Sequence, residues 1–255
     1  MADGNPPQRA KVKGMADLRV RLISGLAMVA GSAAALWLGG WMWLGFVVLL
    51  AGLVLWEWNR LVSRFAPTAG PQTVWRVCGA LYVGAAAIAL IGVRNGPQLL
   101  PVGGETFGYT PLEVLLAFIA PVIAVDVGAY FAGRAIGGPK IAPAISPSKT
   151  WAGLIGGAVL AGGVVLAVML SDFGPAAATA DAIPVEAAAA AGVGVVIAVL
   201  AQAGDFFESW MKRRAGVKDS SGLIPGHGGL FDRLDGFIAV YFVWFVAALL
   251  PSYVW

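Results

Sequence analysis

Long apolar runs separated by short polar ones dominate the chain. Seven runs stand out, over about 20–38, 41–62, 74–93, 111–133, 152–170, 187–211 and 236–255. Each is near the roughly 20 residues that a helix needs to cross the hydrocarbon core of a bilayer. A segment in lipid must satisfy its own backbone hydrogen bonds, so the form predicted for every run is an α-helix. The fold class that follows is all-α: a polytopic integral membrane protein with about seven transmembrane helices. Gly39-Gly40 joins the first two runs as a tight helical hairpin, and Trp37, Trp41 and Trp43 around it fit an interfacial aromatic belt. Trp56 and Trp58 fit either the other interface or interior packing. Gly153 and Gly157 have the spacing of closely packed helix pairs, and Gly31, Gly52 and Gly84 are read the same way.

The polar remainder divides by side. Of the 17 Lys and Arg, only Arg94 falls in a loop after an odd-numbered run. The others are Arg9, Lys11, Lys13, Arg19 and Arg21 at the start, then Arg60, Arg64 and Arg76, then Arg134, Lys140 and Lys149, then Lys212, Arg213, Arg214, Lys218 and Arg233. The positive-inside rule puts the N-terminus in the cytoplasm and the C-terminus outside. Residues 1–19, polar, basic and carrying Pro6-Pro7, read as a flexible cytoplasmic tail. They are not read as part of a cleaved signal peptide, because the apolar run that follows is too long and leads into a second. Residues 20–255 form one membrane domain. The opposite loops, 94–110 rich in Gly and Pro and 171–186 with Asp172, Asp181 and Glu186, read as connectors.

Composition agrees. With 59% hydrophobic residues, 12% charged and a mean hydropathy of +0.80, a soluble domain has nowhere to place its apolar surface. Cys78 is the single cysteine, which excludes an intramolecular disulfide framework, and it reads as a small core residue. One cysteine and one histidine argue against structural zinc. No internal repeat is visible, which argues against a transporter built from inverted repeats. No nucleic-acid partner is expected.

Charge concentrates in one stretch, Ser209 to Asp235, SWMKRRAGVKDSSGLIPGHGGLFDRLD. Lys212, Arg213, Lys218 and Arg233 suit a polyphosphate, since Lys and Arg make charge-assisted hydrogen bonds to phosphate oxygens. Asp219, Asp232 and Asp235 suit a hard cation such as Mg²⁺. Gly228 and Gly229 let backbone approach a ligand, and His227, the chain's only histidine, stands among them. Asp205 and Glu208 are three apart and face one side of the sixth run near its end, with Ser209 beside them. They either neutralise Lys212 and Arg213 or bind metal. A second charged stretch holds Asp126 and Tyr130 on one helix face, then Arg134, Lys140 and Ser146-Pro147-Ser148-Lys149-Thr150-Trp151. An acidic residue inside a membrane run is costly and marks a functional candidate; the alternative is a helix-end Asp capped by water or paired to Arg134.

The 209–235 stretch resembles the signature of the phosphatidate cytidylyltransferases, the CDP-diacylglycerol synthases. The matching residues are Ser209, Met211-Lys212-Arg213, Lys218-Asp219, Ser221, Ile224-Pro225, His227-Gly228-Gly229-Leu230 and Asp232-Arg233-Leu234-Asp235. Ser146 to Trp151 is similar to a second stretch of that family, although Ala152 stands where the family usually has Glu. The resemblance implies transfer of CMP from CTP to phosphatidic acid, releasing pyrophosphate, by cytoplasmic loops at 134–151 and 212–235. It implies catalytic roles for Lys218, Asp219, His227, Asp232 and Asp235. Ser146, Lys149, Thr150, Ser209, Lys212, Arg213, Gly228, Gly229 and Arg233 would hold substrate phosphates. Asp126, Asp205, Glu208, Asp219, Asp232 and Asp235 would hold Mg²⁺, as one ion or two. The expected setting is a bacterial inner membrane, among membrane lipids, with a homodimer as one form. Two alternatives stay open: a CTP-dependent kinase of a lipid alcohol, and a lipid transporter without catalysis.

Overall fold

The computed structural model describes residues 8–95, 111–171 and 183–250. They form seven helices: α1 (Gln8–Leu38), α2 (Gly40–Phe65), α3 (Ala69–Asn95), α4 (Pro111–Ala135), α5 (Trp151–Met169), α6 (Ile183–Arg214) and α7 (Phe231–Ala248). Between α4 and α5 an antiparallel hairpin pairs β1 (Lys140–Ala142) with β2 (Ser146–Thr150). The connectors expected over 94–110 and 171–186 lie largely outside the described residues.

The hydropathy reading holds with three corrections. Among the described residues, six helices, α1 to α6, contain a stretch long and apolar enough to cross a membrane. α7 differs: it starts at Phe231 rather than 236, so Asp232, Arg233 and Asp235 ride on its first turns. α1 already begins at Gln8, within the stretch expected to be a flexible tail; Pro6 and Pro7 stand just ahead of it, where proline is tolerated. Finally, the 134–151 loop is a β-hairpin, its register set by the pairs Lys140 with Thr150 and Ala142 with Ser146.

The α1–α2 turn is made by Gly39 at φ 60° and Gly40 at φ 50°, backbone that other residues rarely adopt. Arg94 Nε donates to Leu36 O at 3.1 Å there. The one basic residue expected on this side thus satisfies a carbonyl at the C-terminal, negative end of α1.

In lipid, helices associate through close packing more than through burial from water, and small residues permit it. A Cβ on Gly156 would stand 2.2 Å from Ala132 Cβ of α4, and one on Gly157 2.9 Å from Val125 O. A Cβ on Gly204 would stand 2.4 Å from Asp235 O, which fixes how α6 meets α7. Gly31, Gly52 and Gly84 have no atom within 4 Å of such a Cβ, so they do not serve close packing as expected.

The core gathers around Trp58, whose ring lies 5.7–6.3 Å from those of Trp75, Tyr82, Phe207 and Phe231. Its Nε1 donates to Trp75 O at 2.8 Å. Trp56 stays half exposed under the Arg60 guanidinium. Trp37 and Trp41 face outward as a belt requires, but Trp43 is buried and donates to Leu90 O at 3.2 Å. Cys78, expected in the core, is exposed.

Candidate active site

The segment from Ala215 to Leu230 folds back on the bundle because a buried carboxylate collects its donors. Glu57, on α2 and fully buried, accepts at Oε1 from Leu230 N (2.9 Å) and Ser221 Oγ, and at Oε2 from Phe231 N (2.6 Å) and Ser220 Oγ (3.1 Å). Leu230 and Phe231 carry the first free amides of α7, so Glu57 caps that helix from across the bundle and meets its positive end. Sequence reasoning missed Glu57. The argument that singled out Asp126, an acidic residue inside an apolar run, applies to it equally.

A second carboxylate organises the same segment from the other side. Asp232 Oδ2 accepts from Gly229 N (2.8 Å) and Ser220 N (3.0 Å) and lies 2.9 Å from Ser220 Oγ, whose one proton it shares with Glu57, while Oδ1 takes Lys212 Nζ at 2.7 Å. Lys212 also reaches Glu208 Oε2 at 2.6 Å. Both oxygens of Asp232, expected to act in catalysis and on the metal, are engaged by protein donors and tie the loop together. Gly229 lies where the two carboxylates meet: a Cβ there would be 1.8 Å from Ser220 Oγ and 2.7 Å from Glu57 Oε1. Gly228, at φ 86°, brings Ile224 and Gly228 into mutual backbone hydrogen bonds; a Cβ on it would stand 3.3 Å from Asp232 Oδ2 and 3.5 Å from Asp219 Oδ1.

The outer edge of the loop is pinned to α1. Ser24 Oγ lies 2.9 Å from Pro225 O and 3.0 Å from His227 Nδ1, and Arg233 Nη2 donates to His227 O at 2.5 Å. Ser24 has one proton; with it on Pro225 O, His227 presents Nδ1–H to the serine and leaves Nε2 as its acceptor. Expected among ligand contacts, His227 is seen here at a helix contact, and Arg233 holds the turn.

The two charged stretches converge. Lys149 Nζ on β2 pairs with Asp205 Oδ2 on α6 at 2.7 Å, and Arg213 Nε donates to Ile145 O at 3.4 Å, so the hairpin docks on the end of α6. Asp126 of α4 and Asp235 of α7 interact electrostatically with each other and with both Lys149 and Asp205. Asp126 does not take the alternative pairing with Arg134, whose Nη1 reaches Tyr130 Oη at 3.3 Å. Four elements thus bring three carboxylates around one lysine. Ser209 Oγ donates to Asp205 Oδ1 at 3.4 Å; Ser146 is buried, its Oγ 3.5 Å from that of Ser148; Thr150 Oγ1 caps α5 by accepting from Gly153 N at 3.1 Å. Thr150 therefore shapes the hairpin–helix junction. Lys218 and Asp219 are exposed at the loop surface.

A hard divalent cation requires several oxygen ligands. Among the described residues no three acidic, His or Cys side chains already stand close enough to hold one. The donor set nevertheless fits in kind: Asp126, Asp205 and Asp235 supply three carboxylates against the two cations Lys149 and Arg233, and Glu208 Oε1 is buried without a hydrogen-bond partner. That excess of negative charge is what a divalent ion neutralises.

Comparison with known proteins places this arrangement. The model of a cytidylyltransferase family matches residues 84–250, which include every acidic site residue except Glu57. The chain belongs to this family. It is 39% identical over 209 residues to the phosphatidate cytidylyltransferase of Brucella suis biovar 1, covering 78% of this chain and 69% of that protein. It is 32% identical over 282 residues to that of Pseudomonas aeruginosa, covering 93% and 98%, and 44% identical over 143 residues to that of Haemophilus influenzae, covering 54% and 48%. The family model covers the hairpin and α4 to α7, while α1 and Glu57 precede it; the alignment to the Pseudomonas aeruginosa relative extends over 93% of the chain.

Proposed function

We infer that this chain is a phosphatidate cytidylyltransferase, transferring CMP from CTP to phosphatidate to give CDP-diacylglycerol and pyrophosphate in phospholipid biosynthesis. One observation carries the reading: the Lys149–Asp205 ion pair joins the hairpin to α6, and Asp126 of α4 and Asp235 of α7 lie within electrostatic reach of it. Relatives carrying the name of this reaction align over most of the chain.

A phosphate oxygen of phosphatidate attacks the α-phosphorus of CTP. The new P–O bond forms as the bond from the α-phosphorus to the bridging oxygen breaks, and pyrophosphate leaves with that electron pair. The attacking oxygen needs no general base, since a phosphate monoester is mostly ionised near neutral pH. The protein's work is positioning and charge balance. Lys149 exchanges its Asp205 contact for a phosphate oxygen, and Lys218, exposed on the loop, reaches the triphosphate from solvent. Arg213 and Arg233 hold the hairpin and the Pro225–Gly228 turn in place for that contact. Asp126, Asp205 and Asp235, with Glu208 and Asp219 as further oxygen donors, would hold Mg²⁺, which would supply charge neutralisation for the triphosphate. The site faces the cytoplasm, where CTP is found, at the headgroup plane of a bacterial inner membrane.

The test uses purified protein with CTP, Mg²⁺ and either phosphatidate or a long-chain alcohol. Pyrophosphate release that requires phosphatidate is the expected result. CDP release with the alcohol would assign the chain to a lipid kinase instead, and lipid movement with neither product would make it a transporter.

A further inference from the structure

We propose that one acyl chain of the lipid substrate lies in an apolar cavity beneath α1 that reaches Trp43 at its far end. The proposal rests on the reading of the chain as an enzyme acting on a lipid phosphate.

α1 is the least embedded of the spanning helices, with 6% of its apolar window buried. It is tied down at two places. Ser24 meets Pro225 and His227 of the site loop, and Leu36 O accepts from Arg94 at the opposite end. Between these ties α1 stands off the bundle, and a cavity of about 400 Å³ opens against α2, α3, α4 and α7. Along α1 its wall runs from Met28 to Leu36, about 12 Å at 1.5 Å per residue. This is a slot parallel to the helices, the direction an acyl chain takes in a bilayer.

Its position names the occupant. Its α4 wall, Ile119 and Ile123, leads one turn on to Asp126 on the same helix face, and its α7 wall starts at Leu234 in the first turn, so the slot opens toward the charged end of the bundle. The other end holds Trp43, fixed by its hydrogen bond to Leu90 O. Tyr241 lines the wall, and its Oη is buried without a partner. Buried hydroxyls normally find a partner, and a glycerolipid brings ester carbonyls a few bonds below its phosphate. A bulk lipid fits the slot's apolar wall equally, but only a lipid whose phosphate is held at Lys149 has reason to enter from that end.

Two measurements on the full-length protein in nanodiscs test this. The first compares dihexanoyl- and dioleoyl-phosphatidate in wild type and in Ala87→Phe and Ala51→Phe, which place a ring in the slot from α3 and α2. The expected result is a KM for dioleoyl-phosphatidate raised by about tenfold, equal to roughly 1.4 kcal/mol, with little change for the dihexanoyl lipid or for CTP. Equal effects on both lipids, or none, would overturn the proposal. The second uses wild type and phosphatidate carrying a diazirine in its chain. Adducts on the Met28–Leu36 and Leu234–Tyr241 segments, competed by phosphatidate and not by phosphatidylcholine, support it. Adducts elsewhere, or equal competition by phosphatidylcholine, overturn it. Wild type inactive on both phosphatidates would sink the enzymatic reading instead, while the labelling still reports on the cavity.

Discussion

Replacing Glu57 by Gln tests whether a residue on α2, far from the charged stretches in sequence, builds the active site. Glu57 receives four donors: the Leu230 and Phe231 amides and the Ser220 and Ser221 hydroxyls. Glutamine keeps one carbonyl oxygen and turns its NH₂ toward the other pair. A serine hydroxyl can rotate and accept from that NH₂, but a backbone amide cannot. One amide of the α7 start is therefore left buried and unpaired, which costs about 1–3 kcal/mol. Loss of the negative charge at the helix N-terminus adds about 0.3–2 kcal/mol. The closed loop is thus disfavoured by about 1–5 kcal/mol, and at roughly 1.4 kcal/mol per tenfold, activity falls by about tenfold or more. Hydrogen exchange should rise at Ser220, Leu230 and Phe231 while the α4–α5 pair stays protected, and kcat/KM for CTP should drop. Glu57→Asp, which keeps the charge but shortens the reach, should fall between wild type and Glu57→Gln. Unchanged exchange at the three amides together with unchanged kcat/KM would refute the reasoning.

Further expectations follow from the same geometry. Gly229→Ala places a carbon 1.8 Å from Ser220 Oγ and should abolish activity, whereas Gly222→Ala, with nothing within 4 Å, should match wild type in the same assay. Lys149→Gln should lower kcat/KM for CTP by at least about tenfold, because a lost charged contact in a partly dry site costs about 2–5 kcal/mol; Lys13→Gln should not, and added salt should not mimic the loss in wild type. Asp205→Asn and Asp235→Asn should raise the Mg²⁺ concentration that half-saturates turnover and weaken Mn²⁺ binding followed by paramagnetic relaxation; unaltered binding in both would remove the carboxylates from the metal site. Reporter fusions at Trp255 and within 215–222 should report opposite sides of the membrane.

The bundle was legible because lipid leaves the backbone few options: an apolar run of about 20 residues is a helix, and loop charge orders the runs. The start of α7 was not, since Asp232, Arg233 and Asp235 read locally as loop, and only Glu57 on another helix explains why the helix begins at Phe231. The hairpin was hidden in a short stretch rich in Pro, Gly and Ser, where the strands are held by docking on α6 through Lys149 and Arg213. Trp43, expected in the interfacial belt, and Trp58, left open between interface and core, were not resolved because tryptophan serves both; their indole N–H partners, Leu90 O and Trp75 O, decide the matter and are long-range. Of the charged residues, sequence identified the set but not the division of labour. Lys212, Asp232, Arg233 and Thr150 make contacts within the protein, while Lys149 pairs with Asp205 within electrostatic reach of Asp126 and Asp235.

The most direct test of nucleotidyl transfer follows the phosphorus. CTP labelled separately at its α- and γ-phosphates is incubated with the purified protein, Mg²⁺ and phosphatidate, and the lipid is extracted. The account predicts label in the lipid from α-labelled CTP only, with the γ-label recovered as pyrophosphate. Label in the lipid from γ-labelled CTP, or from neither, would contradict it.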